Sequence, residues 1–203
     1  MKKLALTSLI AMFAFTGAHA ATNYFVGGAA RLTTDDDHAT VLSVAPEVGY
    51  KYNANWDLGV FANFGYDHKD TVYVPKYAIT ADVSTYTYGA GAFARYKVAQ
   101  MGGVKLLLKG SVGVGFTTYD PEISGQDSET LTTINAAVIP MVTYDVSPAF
   151  TLYANLNFLG VNAGYNFKND DMGIDSSWNV RAAADSNNVA NTGAFQIGFN
   201  YNF

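Results

Sequence analysis

The chain has no cysteine, only three histidines, a minority of basic residues, and no long apolar run beyond its first fifteen positions. Each absence excludes something. Without cysteine there is no disulfide-stapled scaffold and no thiol chemistry. With 12 Lys and Arg against 17 Asp and Glu, the net charge is −5, which argues against nucleic acid as a partner. No segment after residue 20 supplies the roughly 20 apolar residues of a membrane-spanning helix. What is abundant is aromatic and small: 14 Tyr, 13 Phe and 19 Gly, a content that suits β-strands better than helices.

The first twenty residues read as a segment apart. Lys2 and Lys3 make a basic start, Leu4 to Phe15 is mostly apolar, and Ala18-His19-Ala20 is an A-x-A cleavage site. That order predicts a cleaved signal peptide over 1–20, too short for a membrane anchor. Residues 21–203 then form one domain with 10 basic against 17 acidic residues, a net charge of −7.

Within that domain the apolar period is two. The last residues show it best: Phe195, Ile197, Phe199, Tyr201 and Phe203 alternate with Gln196, Gly198, Asn200 and Asn202. A strand with this pattern puts its apolar side chains on one face and its small polar ones on the other. Eight segments of about ten residues are expected: a weak one around 22–32, then 42–52, 56–66, 86–96, 104–116, 134–144, 150–158 and the terminal strand. About ten residues is the span a tilted strand needs to cross a hydrocarbon layer, with alternate residues facing lipid. The connections also sort by length. Asn53-Ala54-Asn55, 99–103 and Ser147-Pro148-Ala149 are short, whereas 33–40, 67–84, 117–130 and 166–190 are long and polar. Three turns and four loops, with both termini on the turn side, predict an all-β, antiparallel up-and-down transmembrane β-barrel of eight strands. The extended-looking residues Val72, Val74 and Ile79 leave an extra hairpin, and so ten strands, as the alternative.

Two further patterns stand out. Pro46, Val48, Tyr50, Trp56, Leu58 and Phe64 recur at an offset of 94 as Pro140, Val142, Tyr144, Phe150, Leu152 and Phe158. A mid-sheet proline removes a ladder hydrogen bond, so both prolines predict a local bulge or bend. The hairpin Pro46–Tyr52 with Asn55–Gly59, and the aromatic-x-aromatic-x-Phe end, resemble the outer-membrane β-barrel domain family of the small OmpA/OmpX type. The resemblance implies residence in the cell outer membrane, with Phe199, Tyr201 and Phe203 as the signal read by the barrel-assembly machinery. It implies contact with outer-membrane lipid and lipopolysaccharide. The chain is expected to be a monomer with no soluble periplasmic domain, its short turns periplasmic and its long loops extracellular.

Function must come from lumen and loops. Glu47, Lys51, Arg95, Lys97, Lys105 and Lys109 are predicted to face inward. Glu47, Arg95 and Lys109 each stand about six residues from the nearest turn, so they should meet at one height. Buried charges need partners, and the resemblance implies that such ion pairs close the lumen. The expected role is structural and adhesive, with a plugged lumen and loops 67–84 and 166–190 available to a host or surface ligand. A narrow porin-like channel is the alternative, and a lipid A-modifying enzyme the third reading. Catalysis has thin support: His38 and His68 lie in acidic loop stretches (Asp35-Asp36-Asp37 and Asp67, Asp70) without a His-x-Ser signature. The same carboxylates, with Asp170 and Asp171, match no dedicated calcium loop. No cofactor, metal or catalytic residue is expected.

Overall fold

The computed structural model describes residues 23–34, 40–74, 79–121, 128–170, 173–184 and 195–203. The predicted signal peptide and His38 lie outside them. Strands are β1 (Tyr24–Thr34), β2 (Thr40–Lys51), β3 (Trp56–Val74), β4 (Ile79–Met101), β5 (Val104–Pro121), β6 (Glu129–Ser147), β7 (Phe150–Leu156), β8 (Leu159–Asn166), β9 (Ser177–Ala184) and β10 (Phe195–Asn202). Every pairing between them is antiparallel. The ring β1-β2-β3-β4-β5-β6-β7-β10 closes on itself through β1 and β10, from Phe25 opposite Asn202 to Ala29 opposite Gly198.

Ten strands thus occupy eight positions. β7 and β8 both pair with β6 and form one stave. β9 pairs with β8 and β10 with β7, so these two share the last stave. The break in the seventh stave faces Pro140. Met141 opposes Asn155 and Val138 opposes Val161, so β7–β8 carries three more residues than β6 over the same interval. The missing proline N–H removes a rung there, and the extra residues form a bulge between β7 and β8 in which Asn157 is buried. Pro46 acts more mildly. It and Ala45 leave the ladder to β3, but Val44 opposite Phe64 and Glu47 opposite Phe61 remain in one register.

Several expectations need correcting. The ten-stranded alternative fails because Val72, Val74 and Ile79 extend β3 and β4 upward as one hairpin, Val72 opposite Ala81 and Val74 opposite Ile79. The seventh stave does not stop at Phe158 but resumes as β8. The expected loop 166–190 contains β9, whose Trp178 and Val180 alternate with Asn179 and Arg181. Consequently the wall is uneven: β3 to β6 run 19, 23, 18 and 19 residues, whereas a tilted strand crosses a bilayer in about 9–11. Their upper parts stand clear of it.

The outer face is apolar over one band. Val48, Leu58, Val60, Leu106, Val112, Val138 and Leu152 all point outward, exposed. Two aromatic rings bound the band. At the turn end Tyr24 meets Tyr50 at 5.0 Å between ring centres and Trp56 meets Tyr96 at 4.9 Å. At the loop end Tyr66 meets Tyr86 at 5.3 Å, Tyr88 meets Phe116 at 5.3 Å, and Tyr165 meets Phe167 at 5.1 Å. From Trp56 to Tyr66 the strand rises about 33 Å. Tilted by about 40°, that is about 25 Å along the barrel axis, the height of an outer-membrane apolar band.

Candidate functional site

The inward face is where the two ends of the barrel differ. Near the turns its side chains are large and buried. Phe25, Phe93, Leu107, Met141 and Tyr153 are buried there with Glu47, Arg95, Asn155, Asn157 and Asn200. The aromatic rings fit because each lies over a glycine on the neighbouring strand. A methyl carbon on Gly49 would come within 2.2 Å of the Phe25 ring, and one on Gly59 within 2.4 Å of Phe93. Gly91 holds the same relation to Phe61 at 2.7 Å, and Gly198 to Tyr153 at 2.4 Å. Glycine in a strand weakens it by itself, but here it makes room for a ring to cross the lumen.

The three charges expected to meet do meet. Glu47 sits on β2, Arg95 on β4 and Lys109 on β5. Arg95 Nη2 donates to Glu47 Oε1, and Lys109 Nζ lies 3.5 Å from Glu47 Oε2. A fourth group completes the cluster. With its amide nitrogen turned toward Glu47, Asn200 donates to Oε1 at 2.8 Å and accepts from Arg95 Nη1 at 3.1 Å. The guanidinium is also stacked among rings, its carbon 4.5 Å from the centre of Phe93, 5.3 Å from Phe25 and 5.4 Å from Tyr153. Arg95 is 1% exposed and Glu47 4%. Two charges withdrawn from water this fully are tolerated only with close pairing and further polar contacts, and Lys109, Asn200 and the ring faces supply both.

Asn200 and the inward aromatics are what sequence reasoning missed. Asn200 reads as a small polar filler in the last strand. Phe25 and Phe93 break the small-inward pattern, and a signal existed: each shares the parity of a charged inward residue on or beside its strand. Around the cluster, Asn155 Nδ2 donates to Gln196 Oε1 at 2.8 Å. Toward the loops the inward residues are glycine, threonine and asparagine, as at Asn63, Gly89, Gly115, Thr133, Asn135 and Gly164, and none is buried.

Outside the lumen the candidates separate. Phe199 and Tyr201 lie on the outward face of β10, and the Phe203 ring meets Tyr201 edge-on at 5.2 Å. His68 is not in a loop but on β3, directly opposite Ser84, with Nδ1 3.0 Å from the Ser84 oxygen. Ser84 is only 3% exposed. Among the described residues no group of three His, Asp or Glu side chains is placed to hold a metal ion.

A closed antiparallel ring of eight staves and an apolar outer band between two aromatic rings are features that occur together in one class of membrane protein. The chain is an outer-membrane-type β-barrel. No family model matches it, and no curated protein does. Solved structures with a similar fold include Neisserial surface protein A, at 20% identity and a TM-score of 0.44 over 92% of this chain and 100% of that one. Ail, the attachment invasion locus protein of Yersinia pestis, is 17% identical with a TM-score of 0.43 over 89% and 97%. A major outer-membrane protein of Thermus thermophilus is 14% identical with a TM-score of 0.49 over 91% and 100%. Likenesses of this size concern the fold alone.

Proposed function

We propose that this barrel serves as a non-conducting structural and surface-contact protein of the outer membrane, with its turns in the periplasm and its β3–β6 hairpins outside the cell. The observation that carries the reading is the floor: the Glu47–Arg95–Lys109–Asn200 cluster and the rings around it cross the lumen, joining β2, β4 and β5 to β7 and β10. An eight-stranded barrel is just wide enough for side chains to fill, and here they are large enough to do so. The tall hairpins favour a contact role, because they raise polar strand well above the loop-end aromatic ring. A host or surface ligand would meet them first, while the outward band would meet lipid and lipopolysaccharide. Phe199, Tyr201 and Phe203, at the turn end of the last stave, would be the segment offered to the barrel-assembly machinery.

The test is single-channel recording on the refolded mature protein in a planar bilayer. A plugged monomer gives no sustained current. Steady conductance in the wild-type protein would favour the narrow channel instead, and a rise confined to Glu47→Ala would make the cluster a gate. An unchanged lipid A mass on expression is expected, in line with the burial of Ser84 beside His68.

A further inference from the structure

The ring of staves closes in its turn half. β1 and β10 pair from Phe25 to Ala29, and above Ala29 they part. Phe195, Gln196 and Ile197 keep β7 as a neighbour, and Ala30 to Thr34 keep β2. β9, which takes over the last stave above β10, pairs with β8 and with no other strand among the described residues. Nor do the backbones of β1 and β9 run side by side. Among the described residues the wall therefore has a slot, with β1 on one side, β9 on the other and the top of β10 as its sill.

The slot opens onto lipid. Trp178 stands opposite Tyr165 of the loop-end ring, with Val180 and Ala182 below it, so β9 runs down into the apolar band. Trp178, Val180 and Ile197 are 76%, 62% and 67% exposed, whereas Val112, with a strand on either side, is 53%. Behind these apolar lips the cup is polar. Asn179 and Arg181 point inward on β9, opposite Gly164 and Asn162, and both are exposed. Arg181 forms no ion pair among the described residues. A bare strand edge is not stable in hydrocarbon, because its N–H and C=O groups lack partners unless water or other polar groups reach them. Lipid chains suit only the lips, and water suits only the cup and the edge. A lipid whose head lies inside and whose chains stay in the leaflet suits all three, its phosphate and ester oxygens accepting from the edge N–H groups.

We propose that one phosphate-headed membrane lipid enters this slot head first. Its head group lies in the cup beside Arg181, Asn179 and Asn162, and its chains pass out between β1 and β9.

The chain has no cysteine, so a single thiol can be placed in the cup. Asn162→Cys puts it on β8 opposite Arg181, and Asn63→Cys puts it on β3, across the cup. Each mature variant is refolded into phosphatidylglycerol vesicles that contain a phosphatidylethanolamine with a maleimide on its head, and adducts are read by mass. Asn162→Cys should gain one lipid and Asn63→Cys none, while a water-soluble maleimide labels both. Arg181→Gln in the Asn162→Cys background should slow the lipid reaction about two- to fivefold, the range for an exposed charge contact. Heat-dependent gel mobility confirms that each variant is folded, and Asn179→Cys serves if Asn162→Cys fails. Absence of a lipid adduct at Asn162→Cys overturns the proposal, whether or not the soluble reagent reacts. Equal lipid rates at the two positions overturn it too, since the head group would then be reaching over the rim. So does a disulfide-linked dimer of Ala182→Cys, because a second copy would then cover β9.

Discussion

The two halves of the lumen share the same strands and the same pleat, and they differ in the size and charge of what points inward. Toward the turns, Phe25, Phe93, Met141, Tyr153 and Arg95 are buried. Toward the loops, Asn63, Gly89, Gly115, Thr133 and Asn135 stay open to water. Barrel geometry makes closure possible, since eight strands leave a bore that side chains can fill. Geometry does not make closure happen. A barrel of this strand number would close where its inward residues are large and stay open where they are small, and this chain carries both kinds.

The sharpest way to break that contrast is to take away the anion at its centre. Glu47→Ala leaves Arg95 and Lys109 facing each other without the carboxylate they share. Removing one partner of a buried pair costs about 3–5 kcal/mol, so urea unfolding from lipid vesicles should show a loss of that order. An unfolding curve that overlays the wild type would mean that water reaches the floor and that the two halves are alike. Gly49→Ala attacks the same floor by crowding. Its methyl carbon would lie 2.2 Å from the Phe25 ring, and that ring is buried at 1% exposure. Overpacking of this kind costs about 1–3 kcal/mol, read in the same assay. Asn200→Ala follows. It removes one contact to Glu47 and one to Arg95, with about 1–2 kcal/mol expected because both partners keep other contacts.

Much of the floor was legible from residue spacing, by a particular route. Rungs of the ladder do not lead to it: Glu47 opposes Phe61, and Phe61 opposes Gly91 rather than Arg95. Counting residues from the turns does lead there, because strands tilt and equal distance from a common rim means equal height. Face assignment was legible for the same elementary reason, a period of two with one face in lipid. Three things were not. The rings that pack around Arg95 alternate like any other residue and announce themselves only when parity is compared with Glu47 and Arg95. The bulge in the seventh stave shifts inward positions from Tyr153 and Asn155 to Asn162 and Gly164, a phase change that only the adjacent Phe158 and Leu159 betray. The tall ends of β3 and β4 read as a loop because Asp67, His68, Lys69 and Asp70 interrupt the apolar alternation before Val72 and Val74 resume it.

The smallest effect sharpens the comparison most, because it uses the same substitution in the other half. Gly65 faces the lumen on β3 near the loop end, and a methyl carbon there would meet Thr87 Cβ at 3.4 Å and the Leu42 carbonyl oxygen at 3.9 Å. Both are ordinary contacts, and Gly65 has no positive φ to lose. Gly65→Ala therefore adds no strain while reducing the freedom of the unfolded chain, a change worth about 0.4–1 kcal/mol in favour of the fold. Gly49→Ala and Gly65→Ala should thus move the unfolding midpoint in opposite directions. If both destabilise, the loop half is as tightly packed as the turn half and the cup does not exist. If both are neutral, the Phe25 ring yields to a methyl group and the floor is looser than its burial implies. Only opposite signs preserve a closed floor beneath an open cup.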